Sequence, residues 1–102
     1  MQVLANYCDK ILYMQLKGEI DEHNAANTRR DVDKLADDYA QSESAVFDLG
    51  GVSFMDSTGI GFLIGRYKKF RRLGIPVYLT NPTSTTDKIL SMSGLYSLMP
   101  KI

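Results

Sequence analysis

The stretch from Ala45 to Leu79, AVFDLGGVSFMDSTGIGFLIGRYKKFRRLGIPVYL, decides the architecture. Its first five residues, Ala45-Val46-Phe47-Asp48-Leu49, read as a short buried strand. Gly50-Gly51 and Val52–Met55 follow. Asp56-Ser57-Thr58-Gly59 then supplies the short polar side chains that start a helix. From Ile60 the apolar positions Ile60, Leu63, Ile64 and Tyr67, with Phe70 on the flank, share one helical face. Gly74 and Pro76 stop that helix, and Pro76–Thr80 reads as the next strand. Strand, helix, strand implies a parallel pair joined by a right-handed crossover.

Upstream, Val3–Cys8 and Ile11–Leu16 read as two strands joined at Asp9-Lys10, hence antiparallel. Ile11 and Tyr13 against Leu12, Met14 and Leu16 make the second strand apolar on both faces, as in a buried strand. Gly18-Glu19-Ile20-Asp21 breaks the pattern, and Asp21 or Asn24 can cap the next helix. Over Ala25–Ala40 the positions Ala25, Thr28, Val32, Leu35, Ala36 and Tyr39 form one face, and Asp31, Asp33, Asp37 and Asp38 lie off it. Downstream, Asn81-Pro82 is a turn, Thr83-Ser84 starts a third helix, Ser93-Gly94 ends it, and Leu95–Ile102 reads as a last strand. Met55, Met92 and Met99 are expected as core fillers. The fold class is α/β: a mixed sheet of four to five strands, the first pair antiparallel and the rest mainly parallel, with α-helices against it.

Bulk properties agree. One hundred and two residues make one domain, 1–102, and 11.4 kDa predicts a folded surface of roughly 5,800 Å². Forty-four per cent hydrophobic and 24% charged residues fit a globular chain and exclude a disordered one. No apolar run is long enough to span a bilayer, so no membrane partner is expected. MQVLANYCDK does not read as an export signal, and a lone Cys8 suits a reducing compartment, so a cytoplasmic location is expected. One cysteine and one histidine give no metal-ligand set. Net charge is zero, which argues against direct nucleic-acid binding. Residues 1–51 nonetheless hold 5 basic and 10 acidic side chains, and residues 52–102 hold 7 and 2. That asymmetry reflects either two helices with differently charged outer faces or a surface that orients a partner.

The Asp56–Gly59 loop and its surroundings admit several chemistries. As a cap, its side chains satisfy first-turn amides. As a site, it puts the Ser57 hydroxyl where a phosphate would add about −1.5 to −2 charges beside Asp56. Nucleophilic catalysis by Ser57 would lean on His23 as base, and the loop lacks the Gly-x-Ser-x-Gly elbow. Gly59-Ile60-Gly61 with Gly65 falls one residue off a dinucleotide fingerprint and serves better as close packing or a low surface. Arg66-Tyr67-Lys68-Lys69-Phe70-Arg71-Arg72 reads as a solvated basic face, with partner contact as the alternative. A phosphate-accepting Asp48 would need an acidic pair and a lysine that Asp9 and Lys101 do not convincingly supply.

Val52–Gly61, Gly65-Arg66-Tyr67-Lys68, Met92-Ser93-Gly94-Leu95 and Lys17–Asp21 together resemble, in order and spacing, the bacterial anti-sigma factor antagonists, which are single STAS domains. The likeness is greatest to the sporulation branch that acts on the anti-sigma F factor; the general-stress, sigma B branch comes second. The resemblance implies a switch without catalysis. The unphosphorylated antagonist binds an anti-sigma factor that is also a serine kinase. Ser57 is then the phospho-acceptor, and a metal-dependent serine phosphatase resets it. ATP and magnesium belong to the kinase, and no cofactor is expected on this chain. By position Asp56, Thr58 and Gly59 shape the loop, Gly61 keeps the neighbouring surface low, and Asp21 and Arg66 are partner contacts. A scaffold of the same fold that uses Thr58 is the other binding reading. Thr58 stands where the sporulation form has a second serine, and the chain stops where relatives commonly continue into a further helix.

Overall fold

The computed structural model describes residues 1–102. Strands β1 (Gln2–Cys8) and β2 (Ile11–Lys17) form a hairpin, followed by α1 (Ala25–Asp38), β3 (Ser44–Gly51), α2 (Ser57–Arg72), β4 (Val77–Thr80) and α3 (Ser84–Ser93). A single 3-10 turn, Leu95–Ser97, closes the order. Asp9 and Lys10 both take positive φ, 53° and 65°, as a two-residue turn matched to strand twist requires. The sheet order is β1-β2-β3-β4, with β1–β2 antiparallel and β2–β3 and β3–β4 parallel.

Both parallel steps run in one direction across the sheet. Right-handed crossovers therefore lay α1 and α2 on the same face. Leu12, Met14 and Leu16 of β2, Phe47 and Leu49 of β3, and Leu79 of β4 supply that face, each at most 1% exposed. Val32 and Ala36 of α1, Leu63 and Phe70 of α2, and Leu90 of α3 close over it in one continuous core. Phe47 and Phe70 meet edge to face at 6.2 Å. The molecule exposes 5599 Å², near the value its mass predicts.

The structure corrects three expectations. β2 is apolar on both faces in sequence but buried on only one, because every helix lies on the other side of Tyr13, which stays 42% exposed. Leu95–Ile102 forms the 3-10 turn and a single bridge, Lys101 to Leu79, so the sheet has four strands. Met92 is 79% exposed, because α3 buries the Thr86–Leu90 stripe and Met92 points off it; Met55 and Met99 are in the core.

Besides the Lys101–Leu79 bridge, one carboxylate ties the tail to α3. Asp87 on α3 accepts from the Tyr96 hydroxyl at 2.6 Å and from Lys101 Nζ at 2.9 Å. The bond from Tyr96, then that from Lys101, lowers the Asp87 pKa, while burial first and Asp87 next raise that of Tyr96. A carboxyl depressed on folding stabilises the fold above its unfolded pKa and loses that contribution as pH falls through the folded one. The urea midpoint should therefore fall between pH 5 and 3 more steeply in the parent chain than in Asp87→Asn, which begins lower at pH 7; parallel curves would show that Asp87 does not couple folding to pH.

Candidate functional site

The loops after β2 and β3 leave the same end of the sheet, because the two strands are parallel. They are tied together. The Gly18 amide donates to the Gly51 carbonyl at 2.9 Å, and the Ser53 hydroxyl bonds the Glu19 carboxylate. Ile20, 7% exposed, packs where a Cβ at Gly59 would meet its side chain at 3.2 Å and Met55 Cγ at 2.6 Å. Asp21 is thereby held at the same end of the molecule as Asp56 and Ser57. Its Oδ1 accepts from the His23 and Asn24 amides at 2.9 and 3.0 Å, while Asn24 Oδ1 accepts from the Asp21 amide. This reciprocal arrangement starts the turn that leads into α1.

Asp56 is the N-cap of α2, and its Oδ1 accepts from the amides of Thr58 at 2.9 Å and Gly59 at 3.3 Å. Ser57 is the first helical residue, exposed, with a hydroxyl that makes no hydrogen bond within the chain. Thr58 is half-buried. On the far side of the loop, Thr86 Oγ1 donates to the Val52 carbonyl at 3.2 Å, fixing the loop against α3. Nothing in the sequence singles out Thr86; only the helix-start position of its neighbours points toward it. Phe54, in the same loop, is 53% exposed, so this loop presents an aromatic ring to solvent.

Arg66 is the main departure. Its helical position reads as solvated, yet it is 7% exposed. Helix α2 is covered on two sides, by the sheet and by α1, so its buried face is wider than one stripe and takes in Phe62 and Arg66. Arg66 Nε lies 2.8 Å from Asp33 Oδ1 of α1 as a charge contact, not an aligned hydrogen bond. One turn along, Lys69 pairs with Asp37 at 2.8 Å. Two acidic residues of α1 and two basic residues of α2 thus face each other across a helix–helix seam. Burial, the largest influence, lowers the Arg66 pKa; Asp33 opposes this, and Arg29 and Arg72 add to the lowering. The guanidinium also lies 5.5 Å above the Phe62 ring.

The glycines divide into two kinds. Gly59 is packed tightly, whereas a Cβ at Gly61 or Gly65 would meet nothing within 4 Å. Those two open onto a groove of about 400 Å³ between α1 and α2, lined also by Thr58, Arg66, Arg29 and Glu22. His23 is exposed and lies outside this groove, and no hydrogen bond connects it to Ser57. Asp48 Oδ1 is engaged by the Gly50 amide at 2.8 Å and by Asn81 Nδ2 at 3.3 Å, while Lys101 is held at Asp87. The structure therefore does not bring together the groups a phosphate-accepting Asp48 would need. No group of His, Cys, Asp and Glu has metal-binding geometry, and no helix is long and apolar enough to cross a membrane.

Known proteins share this outline. A family model described as STAS domain matches residues 3–102. An anti-sigma F factor antagonist of Paenibacillus polymyxa is 32% identical over 98% of this chain and 85% of its own length. An anti-sigma-B factor antagonist of Bacillus subtilis is 28% identical over 86% of this chain and 78% of its own. The anti-sigma factor antagonist SpoIIAA in its unphosphorylated form shares the fold with a TM-score of 0.77 at 23% identity, covering 99% of this chain and 88% of that one. Its phosphorylated form does so at 0.71 and 24%, covering 99% and 91%.

Two measurements probe this geometry. Gly59→Ala should destabilise by about 1–3 kcal/mol through overpacking, and Gly61→Ala should stabilise by about 0.5–1 kcal/mol by restricting the unfolded chain; urea midpoints of opposite sign are expected from two glycines two residues apart. Asp33→Ala should cost about 1–3 kcal/mol by leaving Arg66 without its counter-charge. Adding Arg66→Met to Asp33→Ala should restore part of that loss, and strictly additive losses in the double variant would mean the seam contributes no coupling.

Proposed function

This chain belongs to the STAS domain family, and from that premise we infer that it is an anti-sigma factor antagonist, a binding switch rather than an enzyme. The observation that carries the reading is the placement of Ser57. It is exposed and free of hydrogen bonds at the first position of α2, in a loop pinned from both sides. Unphosphorylated, the chain binds an anti-sigma factor that is also a serine kinase, and so releases the sigma factor. The kinase transfers phosphate from its own bound ATP and magnesium to Ser57, the antagonist is released, and a metal-dependent serine phosphatase restores it. The chain needs no cofactor and works in the cytoplasm.

The cap explains why phosphate on Ser57 would weaken the complex. A phosphate at a helix start is ordinarily stabilised by free first-turn amides. Here Asp56 already occupies those of Thr58 and Gly59. Exposed Glu19, Asp21 and Asp56 add negative charge at the same end. A phosphate of about −1.5 to −2 charges on Ser57 therefore finds no counter-charge in its own loop. It must keep its water, and a partner pressed against the loop would strip that water away. Asp21 and Phe54 face outward at this end and fit contact with the partner. Arg66, 7% exposed and paired through Nε with Asp33, supports that contact from behind by holding α2 against α1.

Control of the sporulation sigma F is the reading favoured by the 32% identity over nearly the whole chain. The 28% identity to a sigma B antagonist favours a general-stress role as the second. In a titration against the anti-sigma kinase, Ser57→Ala should bind like the parent chain and resist release by Mg-ATP. Ser57→Asp should bind more weakly by about 2 kcal/mol or more. Equal affinity of the two variants would remove the switch.

A further inference from the structure

The groove between α1 and α2 lies beside the Ser57 loop but does not include Ser57. Its wall contains a positive charge that the fold satisfies only on one side. Arg66 is 7% exposed; its Nε faces Asp33 without an aligned hydrogen bond, and its other guanidinium nitrogens make none within the chain. Arg29 lines the same groove from α1, is exposed, and forms no ion pair. Arg29 is near enough to add to the lowering of the Arg66 pKa, behind burial and against the larger opposing effect of Asp33. Beside Arg66 on α2, Gly61 and Gly65 present bare backbone where any side chain would have projected into the space. Two arginines lining one groove beside an open helix surface supply the charge-assisted donors that bind oxyanions.

We propose that this groove is a phosphate-class anion site, in which Arg66 and Arg29 hold the anion against the open α2 surface at Gly61 and Gly65. The anion has two sources of the same chemistry. One is free phosphate. The other is a phosphomonoester on Thr58, whose side chain lines the groove whereas that of Ser57 does not. The adjacent hydroxyls are then inequivalent: phosphate on Ser57 faces solvent and carboxylates, and phosphate on Thr58 faces two arginines. Glu22 on the rim opposes the anion and limits its affinity.

The test is a titration of the isotope-labelled chain with inorganic phosphate, following the Arg66 Nε–H and the Gly61 and Gly65 amide resonances by NMR. A saturable shift confined to the groove is expected, weakened about tenfold in Arg29→Ala, as loss of a charge-assisted bond implies, and strengthened in Glu22→Gln. Both variants change exposed side chains and should keep the fold. A second arm uses the chain synthesised with phosphothreonine at position 58. If Thr58 is the source, the Arg66 resonance is already shifted and added phosphate no longer titrates it. If the site serves free anions, added phosphate still does. A shift that never saturates, or one of equal affinity in Arg29→Ala, overturns the proposal.

Discussion

The handedness of two crossovers governs this molecule. From β2 to β3 and from β3 to β4 the chain steps the same way across the sheet, and each step turns right-handed. Nothing in the sheet reverses that direction, so the helices have one face available to them. α1 and α2 become neighbours as a result, and the Asp33–Arg66 and Lys69–Asp37 pairs are the consequence. The loops that follow β2 and β3 are likewise brought to one end. A site built from Asp21, Asp56 and Ser57 therefore requires little beyond the topology, the two ties that stitch those loops together and the bond from Thr86 that fixes the second loop to α3.

Most of the architecture is legible in the sequence because it is set by local chemistry. The Asp56 cap, the Asp9-Lys10 turn, the Thr83 start and the left-handed Gly94 stop of α3 all use side chains within a few residues of where they act. The STAS resemblance rests on the same short blocks. Whole-chain arrangement is less legible. A hydropathy pattern states that β2 is apolar on both sides, but not which side the helices choose. Arg66 shows the limit most plainly. Its spacing places it off the apolar stripe, and only the arrival of α1 on a second side of α2 buries it. The charge imbalance between the two halves is compatible, in sequence, with solvated outer faces or with partner steering. Part of it is an internal seam, Asp33–Arg66 and Asp37–Lys69, which no single-helix projection reveals.

Glycine meaning is also undecidable from spacing. Gly59, Gly61 and Gly65 share one run, and sequence supports both tight packing and a low surface for all of them. The structure assigns the first to Gly59 and the second to the other two, because the Ile20 loop crosses α2 at its first turn only. Loop stability and surface access are therefore controlled by different residues of the same run. The hydroxyl of Ser57 stays open to solvent while the backbone beneath it is fixed.

The order of the sheet has a consequence for how the molecule is made. Strand order in space is strand order in sequence, so no strand has to be inserted between two that are already paired. Each new strand joins the edge left by the one before, and its helix covers the face just extended. The entropic cost of closing each crossover grows only slowly with its length. A chain leaving the ribosome can thus add β3 with α1, then β4 with α2, as each emerges, without waiting for its last residues. The Leu79–Lys101 bridge, formed last, seals the final edge rather than organising what precedes it.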